Sequence, residues 1–517
     1  MENTNEFDLV VAGAGPVGLT AALLGHRMGL KVLVLEKDGA PVKESRAIWI
    51  HPRTLEIWEH IGMTELALKE GRVSNSITVH RSGIAVSSLP YNGEGFSKYP
   101  HGLNLEQSRT QVLLLGLAET SGIPVLWNSV LEGFADKGSH VLCNYIDASG
   151  SAVQKSTAYL LGADGGNSTV RRQLGVKLEG GTYDSSFFVA DVSVATDLNP
   201  SHSGLSFSGA STIAALPLPG ASRFRIVGNL LSQKGESTEA GYGRTLDLSE
   251  VRSLVANSGL PMTIDDIGWS STYRSHYRVA ETFRRGRVLL AGDAAHLHSP
   301  AGGLGLNTGV GDAHGAIAGI LDAMSSDSET PLEGYSTQRR GVAQNVIKTS
   351  DSLFKLQADT RAFFVFVRNR ILPRVFGWMG KTRSGQTAAF TMLSGTNIRY
   401  PVNSPGSRKK LGTLVLGKRI AAGLVPSLSL LRERSPMGHV LVYSGSPSSP
   451  LEIEAQALAS QQKMDFVRLS RTESDSLRLD ESDWVVWIKR DDHVGWIGSK
   501  LTGLESLFRP EKQASSH

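Results

Sequence analysis

The pattern of apolar and polar positions at the start of the chain predicts a βαβ unit. Apolar runs at 7–12 and 32–35 are typical of buried strands, and apolar residues at helical spacing between 19 and 28 predict a helix. A glycine-rich turn with the letters GAGPVG, the GxGxxG turn (13–18), joins the first strand to this helix. Because such a turn lets backbone N–H groups approach a pyrophosphate, the unit indicates dinucleotide binding.

The residues of this unit include the first candidate binding residues. They are Gly13, Gly15, Pro16, Val17, Gly18, Glu36 and Lys37. Glu36 follows the turn at about the 20-residue spacing at which an acidic residue accepts a hydrogen bond from a ribose hydroxyl. The alternative interpretation is a glycine-rich turn that only packs the helix against the strand.

Two later segments each place an acidic residue at the end of an apolar strand. In the DG segment (159–175), a strand leads to Asp164, a pair of glycines and the start of a helix. In the GD segment (286–307), a strand leads to Asp293, then to Pro300 and a glycine-rich turn at 302–305. Because the first backbone N–H groups of a helix lack intrahelical partners, a helix after that turn favours a large, polar ligand.

The pattern of the rest of the chain predicts an α/β protein of several domains. Short strands separated by Gly, Pro and Ser are predicted at 187–194, 212–216 and 223–227. A helical region follows to about residue 386, and strands return at 440–443, 465–469 and 484–489. We expect a Rossmann-type domain in two parts, 1–182 and 280–400, the second including the helical segment. An inserted β-sheet domain at 183–279 and a C-terminal domain at 405–510 complete the expected architecture.

Composition excludes several classes of protein. A length of 517 residues suits two or three domains, and 53 basic against 49 acidic residues, without a basic block, give no indication of nucleic-acid binding. Cys143 is the only cysteine, which excludes an intrachain disulfide and a Cys-x-x-Cys redox pair. The start of the chain is unlike a signal peptide, and no run of about 18 apolar residues occurs. We therefore expect a cytoplasmic protein without a membrane span.

The GxGxxG turn, the DG segment and the GD segment together resemble the single-component FAD-dependent aromatic hydroxylases, including phenol and polyketide hydroxylases. The resemblance covers nearly the whole chain and implies an FAD-binding domain, a substrate domain in the inserted sheet and a thioredoxin-like C-terminal domain. It implies that Asp164 and Asp293 bind FAD, and that Arg46 and Gln107 lie beside the flavin. Gln107 could equally satisfy backbone groups at a helix N-terminus.

The resemblance also implies roles for the loop that ends the GD segment. The carbonyl of Pro300 would face the reactive side of the flavin ring, so that Pro300 and Arg46 are the candidate catalytic residues. Backbone N–H groups of Gly303, Gly305, Leu306 and Asn307 would point to the far edge of the ring. The family usually has glutamine where this chain has Leu304, which removes a side-chain amide near the flavin.

The sequence leaves the roles of two groups of polar residues open. Arg223 and Arg225 share one face of a strand, where they either clamp an acidic substrate or belong to a solvated outer face, which is the commoner case. His296, His298 and His314 lie near Asp293 in sequence. A zinc site would need three or four converging ligands, and the resembled family has histidines here without a metal, so no metal site is expected.

The resemblance implies a monooxygenase that transfers one atom of O2 to a phenolic or polycyclic aromatic, polyketide-like substrate through a flavin C4a-hydroperoxide. Only one GxGxxG turn lies in a βαβ context, so NADPH or NADH is expected to bind transiently. One alternative is another oxygenation on the same fold, such as epoxidation, ring opening or antibiotic inactivation. A second is a flavin-binding protein without turnover. A homodimer and the choice between NADH and NADPH stay open.

Overall fold

The computed structural model places the chain in two compact units. It describes residues 5–43, 47–90, 92–209, 211–230, 243–299, 302–402, 404–420, 425–480 and 482–508. The first unit contains residues 1–93 and 99–395, and the second contains residues 94–98 and 396–517. The short segment 94–98 therefore belongs to the second unit, although residues of the first unit flank it in sequence.

The first sheet is built on the predicted βαβ unit. Strand β1 (Phe7–Ala12) pairs in parallel with β2 (Val32–Leu35), and helix α1 (Pro16–Arg27) lies between them in sequence. On its other side β1 pairs in parallel with β11 (Ala152–Gly162), which pairs in parallel with β18 (Val288–Leu290). The strands that precede the GxGxxG turn, Asp164 and Asp293 are therefore neighbours, and their carboxyl ends meet at one edge of the sheet.

Shorter elements complete this part of the first unit. Its other strands are β3 (Trp49–Ile50), β4 (Arg72–Ser74), β5 (Ser76–Arg81), β6 (Ile84–Pro90), β7 (Gly102–Asn104), β8 (Val125–Leu126), β9 (Val130–Asp136), β10 (Val141–Ile146) and β17 (Arg284–Arg285). Its helices are α2 (Pro52–Glu59), α3 (Met63–Glu70), α4 (Gln107–Thr120) and α5 (Thr169–Gln173). The order of the first sheet is β17-β18-β11-β1-β2-β8, with β10 attached to β11 and β9 attached to β10.

The second sheet contains the strands predicted for the inserted domain. Its own strands are β12 (Leu178–Thr196), β13 (His202–Ser208), β14 (Ser211–Pro217), β15 (Arg223–Leu230), β16 (Met262–Ala280) and β19 (His296–Leu297). Its order is β19-β16-β12-β15-β14-β13-β5-β6, so that two strands arrive from residues 76–90. Phe188, Phe224 and Ile226 pack on one face against helix α6 (Leu248–Ser258). Because side chains alternate along a strand, the residues next to these in sequence face the opposite side of the sheet.

Helices follow the GD segment, as predicted. They are α7 (Leu304–Ser326), α8 (Thr330–Ala358), α9 (Ala362–Phe366), α10 (Leu372–Gly380) and α11 (Arg383–Leu393), with a π-helical turn at Val367–Ile371. Helix α7 packs against both α1 and α8, which places its first turn next to the carboxyl edge of the first sheet. Among the described residues, no helix is both long enough and apolar enough to cross a membrane.

The second unit is a small α/β fold. Its elements are β20 (Lys410–Leu411), β21 (Leu414–Val415), α12 (Pro426–Arg434), β22 (Val440–Ser444), α13 (Pro450–Gln461), β23 (Asp465–Arg468), α14 (Arg471–Ser476), β24 (Trp484–Ile488), β25 (Val494–Gly498) and α15 (Thr502–Glu505). The strands predicted at 440–443, 465–469 and 484–489 are present in its four-stranded sheet, whose order is β23-β22-β24-β25. Its likeness to thioredoxin stays a prediction.

Candidate functional site

A cavity of about 750 Å3 in the first unit is lined by turns that follow strands of the first sheet, by the second sheet and by the helices after the GD segment. Of the predicted site residues, its wall includes Gly15, Pro16, Val17, Gln107, Asp293, Gly303, Gly305 and Leu306. Gly13, Gly18, Glu36, Lys37, Asp164 and Asn307 are not part of the cavity wall. Arg46 and Pro300 lie outside the described residues, so the two candidate catalytic residues stay predictions.

The glycines of the GxGxxG turn have different structural roles. Gly13 has φ +107°, and a Cβ there would lie 2.4 Å from the carbonyl oxygen of Ala163. A Cβ on Gly18 would lie 2.0 Å from the carbonyl oxygen of Gly13, so helix α1 packs directly on the turn. A Cβ on Gly15 would meet no atom within 4 Å in the described part of the chain. Gly15 therefore leaves open space beside the cavity, at the N-terminus of α1, where backbone N–H groups favour an anion.

Glu36 lies at the end of β2, where its carboxylate already supports the GxGxxG turn. One carboxylate oxygen accepts a hydrogen bond from Ala14 N at 2.7 Å, and the other accepts from Asp38 N at 3.0 Å. Because a carboxylate offers about four lone pairs, it keeps the capacity to accept from a ligand hydroxyl as well. Lys37, the next residue, is exposed.

Gln107 connects helix α4 with the loop that follows Arg46. Its backbone N–H donates to the carbonyl of Ala47 at 3.0 Å, and its Oε1 accepts from Ala47 N at 3.4 Å. Both residues line the cavity. Gln107 therefore satisfies backbone groups, as one interpretation of the sequence held, and does so on the wall of the predicted flavin site.

Asp164 stabilises the turn of the DG segment. Its Oδ2 accepts from Thr169 N at 2.7 Å and from Val170 N at 3.1 Å, which caps the short helix α5. Its Oδ1 is buried and has no hydrogen-bond partner among the described residues. Arg171 joins this segment to the GD segment by donating to the carbonyls of Gly166 and Ala294. Asp164 is not part of the cavity wall, so its role in FAD binding stays a prediction.

Asp293 lies in a short turn that the buried carboxylate of Asp312 stabilises. Asp293 is exposed and lines the cavity, whereas Gly292 N donates to Asp312 Oδ2 at 3.0 Å. Asp312 is completely buried and forms an ion pair with Arg339 at 2.7 Å. The predicted ligand carboxylate therefore sits on a turn that is attached to the protein interior.

The first turn of helix α7 faces the cavity. Gly303, at φ +61°, is the residue before the helix, and the residues at 304–306 line the wall. The side chain of Asn307 points elsewhere: its Nδ2 donates to the carbonyl of Trp49 at 2.8 Å, and its Oδ1 accepts from His51 N at 2.8 Å. Asn307 thus ties the helix to the segment around β3, while its backbone contact with the flavin stays a prediction.

The interpretation of Arg225 as part of a solvated outer face is wrong. Its side chain is 1% exposed, lines the cavity and donates to both carboxylate oxygens of Asp191, at 2.6 and 2.7 Å. Its guanidinium also lies 5.6 Å from the ring centre of Trp269. Arg223 is exposed and pairs with Glu106 at 3.2 Å, so the two arginines do not form a clamp.

The three histidines of the GD region each contact other residues of the protein. His296 Nε2 lies 2.7 Å from Asp312 Oδ2, and the ring of His314 stacks on that of His60. His298 lines the cavity, and burial followed by the neighbouring His296 lowers its pKa to about 4. His298 is therefore neutral at pH 7, and its ring stacks on that of His296 with centres 5.6 Å apart.

A large part of the cavity wall was not identified from the sequence. The second sheet contributes apolar residues such as Phe187, Val189 and Val227, and helices α8, α10 and α11 contribute Leu356, Phe376, Met379 and Met392. Apolar residues at these spacings are typical of an ordinary core, so no sequence signal separated them from it. The result is a site whose predicted polar residues lie on one part of the wall and whose apolar residues cover the rest.

A known protein family accounts for most of the first unit. The family described as FAD binding domain matches residues 6–350. The chain belongs to this family. The predicted resemblance and the FAD cofactor are thereby confirmed, and the polar residues described above fit FAD. They include an open glycine turn for the pyrophosphate, carboxylates for hydroxyls and a helix N-terminus.

Similar proteins are named as monooxygenases. The chain is 31% identical over 530 residues to the 12-dehydrotetracycline 5-monooxygenase/anhydrotetracycline 6-monooxygenase of Streptomyces rimosus subsp. rimosus, across 97% of each chain. It is 32% identical over 373 residues to the 6-methylpretetramide 4-monooxygenase of Streptomyces rimosus, a match that covers 71% of this chain and 63% of that protein. The OxyS anhydrotetracycline hydroxylase from Streptomyces rimosus has a TM-score of 0.74 at 25% identity, over 97% of each chain. The family is that of the FAD-dependent aromatic and polyketide monooxygenases.

Replacing Asp293 with alanine is expected to weaken FAD binding by about 1–3 kcal/mol, because a hydroxyl of the cofactor loses its acceptor. The measurement is the dissociation constant of FAD from the apoprotein. The control is Asp197→Ala, which removes an exposed carboxylate outside the cavity wall and should leave FAD affinity unchanged. Equal FAD affinity of Asp293→Ala and the parent would contradict the role.

Proposed function

We propose that the chain hydroxylates a phenolic or polycyclic aromatic, polyketide-like substrate, with FAD as its bound cofactor and NADPH or NADH as a transient reductant. One observation carries the proposal: the polar FAD-type segments and a broad apolar wall line the same cavity. The cavity volume of about 750 Å3 lies within the range of small-molecule sites. Two of the similar proteins named above act, by their names, on anhydrotetracycline, which supports a polycyclic substrate.

The chain's own residues would bind and orient FAD. The open space at Gly15 suits the pyrophosphate of FAD, and Glu36 suits a ribose hydroxyl. Asp293 suits the ribityl chain, which links the flavin ring to the pyrophosphate. The first turn of α7 would stabilise negative charge on the reduced ring, because the N-terminus of a helix carries partial positive charge. When bound and reduced by NAD(P)H, FAD supplies the activation of O2 and the transfer of one oxygen atom. The route of oxygen transfer expected from the resemblance is part of this proposal.

The substrate would lie against the second sheet and helices α8, α10 and α11. Phe187, Val189 and Val227 offer apolar contacts on the sheet side. On the helix side Phe376 and Met379 would cover the ring system and keep water from the site. Arg225 adds one buried cation to this wall, compensated by Asp191, and so offers a polar contact to an oxygen of the substrate.

The test follows NADPH and NADH consumption by the FAD-loaded protein in air. The panel contains 2-naphthol, 3-hydroxyphenylpropionate and anhydrotetracycline, and labelled O2 is used for product analysis. We expect at least one aromatic compound to accelerate the consumption, with one labelled oxygen atom at an aromatic carbon of the product. Labelled oxygen at another position would favour epoxidation or ring opening, and consumption that no aromatic compound accelerates would favour flavin binding without turnover.

A further inference from the structure

A helical segment of the first unit exposes large apolar side chains to solvent. It runs over residues 362–380, through α9, the π-helical turn and α10. Phe363 is 69% exposed, Trp378 is 68% exposed, and Phe366 and Ile371 are exposed as well. None of these four residues is part of the cavity wall. They form the outer face of the segment (Phe363, Phe366, Ile371, Trp378).

The spacing of the four residues places them on one side of the segment. Phe363 and Phe366 are three residues apart, and Ile371 and Trp378 are seven apart, which are spacings of a single helix face. Phe366 and Ile371 are five apart, and they are joined by the π-helical turn, whose hydrogen bonds link residues five apart. The outer face is therefore a continuous apolar stripe.

The opposite side of the segment is fixed to the protein. Leu372, Phe376 and Met379 line the cavity. Arg368 is completely buried and donates to the carbonyl of Gly209 at 3.1 Å. A helix that is apolar on all sides is normally buried on all sides. The outer face is thus an apolar surface of the kind that binds a protein or a membrane.

The charges around the outer face are all of one sign. No acidic residue occurs between Asp359 and Glu433 in the sequence. Arg370, Arg374 and Lys381 are exposed, and none of them forms an ion pair with a residue in the described part of the chain. The apolar stripe is therefore accompanied by three positive charges without local compensation, which complement an anionic surface.

The two arginines lie among the aromatic residues of the outer face. Arg370 follows Phe366 by four residues, and Arg374 precedes Trp378 by four, so each is a neighbour of an aromatic side chain on the helix surface. Aromatic residues together with Lys or Arg are typical of helices that lie in the interface of a membrane with anionic lipids. A second copy of the chain fits less well, because a symmetric dimer through this face would bring the same positive charges together.

We propose that the outer face docks the protein on the surface of a membrane that contains anionic phospholipids. The segment lies in the plane of that surface, with its aromatic rings at the boundary between head groups and acyl chains. Arg370, Arg374 and Lys381 contact lipid phosphates. Because the other side of α10 lines the cavity, docking brings the cavity to within one helix of the lipid.

The first test is sedimentation of the FAD-loaded full chain with lipid vesicles. Vesicles of equal parts phosphatidylglycerol and phosphatidylcholine should bind the protein, and vesicles of phosphatidylcholine alone should bind it at least about tenfold more weakly. Binding to the mixed vesicles should weaken when the ionic strength rises from about 0.1 M to about 1 M, because the Debye length falls from about 10 Å to about 3 Å.

Two double variants separate the apolar contribution from the charged one. Phe363→Ser with Trp378→Ser should lower the partition coefficient on the mixed vesicles at least about tenfold, because less apolar surface enters the interface. Arg370→Gln with Arg374→Gln should lower it at least about fivefold and should reduce its salt dependence. All four side chains are exposed, so FAD content and the thermal midpoint should stay those of the parent.

The matched controls remove the same kinds of side chain elsewhere on the surface. Leu430→Ser with Ile453→Ser removes two exposed apolar side chains, and Lys137→Gln with Lys500→Gln removes two exposed positive charges. Both controls should bind the mixed vesicles as the parent does, because the proposal assigns binding to the outer face and not to overall charge or hydrophobicity.

Fluorescence quenching locates the contact. Trp378→Phe keeps an aromatic side chain and should bind the mixed vesicles nearly as well as the parent. Vesicles with brominated acyl chains should quench part of the tryptophan fluorescence of the parent, and they should quench less of the fluorescence of Trp378→Phe. Equal fractional quenching of the two proteins would place the contact elsewhere and would overturn the proposal.

Three other results would also overturn it. The first is a parent protein that does not bind the mixed vesicles, and the second is binding that neither double variant weakens. The third is a dimer in sedimentation equilibrium that Phe363→Ser with Trp378→Ser dissociates, because this result would assign the outer face to a second copy of the chain.

Discussion

Gly18→Ala is expected to destabilise the first unit by about 3 kcal/mol or more and to abolish FAD retention. The new methyl group would lie 2.0 Å from the carbonyl oxygen of Gly13 and 3.2 Å from Val11 Cγ1. The nearest atom belongs to the backbone, so no side-chain rotation relieves the overlap, and strand β1 and helix α1 must separate. The higher helix propensity of alanine returns at most about 1 kcal/mol. Urea unfolding of the apoprotein measures the loss.

The matched control is the same substitution three residues earlier in the same turn. At Gly15 the methyl group would meet no atom within 4 Å of the described protein, so Gly15→Ala should keep its stability within about 1 kcal/mol. It should nevertheless bind FAD at least about tenfold less tightly, because the methyl group would occupy the space proposed for the pyrophosphate. Equal stabilities of the two variants would contradict the assigned roles of the glycines.

Much of the cofactor side of the site could be predicted because its geometry follows from local chain pattern. The GxGxxG turn, Asp164 and Asp293 each follow a parallel strand. The carboxyl ends of such neighbouring strands lie together, and this is why Gly15 and Asp293 share one cavity wall. The contacts of these residues with FAD stay predictions, as do the roles of Arg46 and Pro300.

The substrate side could not be predicted because it depends on contacts that are distant in sequence. Arg225 is buried because Asp191, 34 residues away, offers a bidentate partner, whereas an unpaired arginine in a strand would be expected at the surface. The apolar residues of α10 and α11 have the spacing of core residues, and nothing local shows that the core beneath them is hollow. The only sequence signal for His298, which lines the cavity, is its closeness to Asp293 in the chain.

Asp312→Asn is expected to destabilise the first unit by about 3–5 kcal/mol, because it leaves the buried guanidinium of Arg339 without its countercharge. The substitution keeps the size of the side chain, so a cavity does not explain the loss. Because Asp312 also accepts from Gly292 N and holds His296, FAD affinity should fall with it. The control is Glu281→Gln in the exposed pair with Arg285, which should cost at most about 1 kcal/mol.

The pH dependence of this loss tests whether the charge of Asp312 is responsible. Burial raises the pKa of Asp312, but Arg339 and His296 outweigh it, so the net pKa is below the usual value. A carboxyl group with a lowered folded-state pKa contributes stability above its unfolded pKa of about 4, and this contribution is lost as the pH falls through the folded pKa. The difference in unfolding free energy between the parent and Asp312→Asn should therefore have its full value at pH 7. It should shrink progressively as the pH falls below about 4. A difference that stayed constant down to the acid-unfolding range would show that Asp312 acts through its hydrogen-bond geometry and not through its charge.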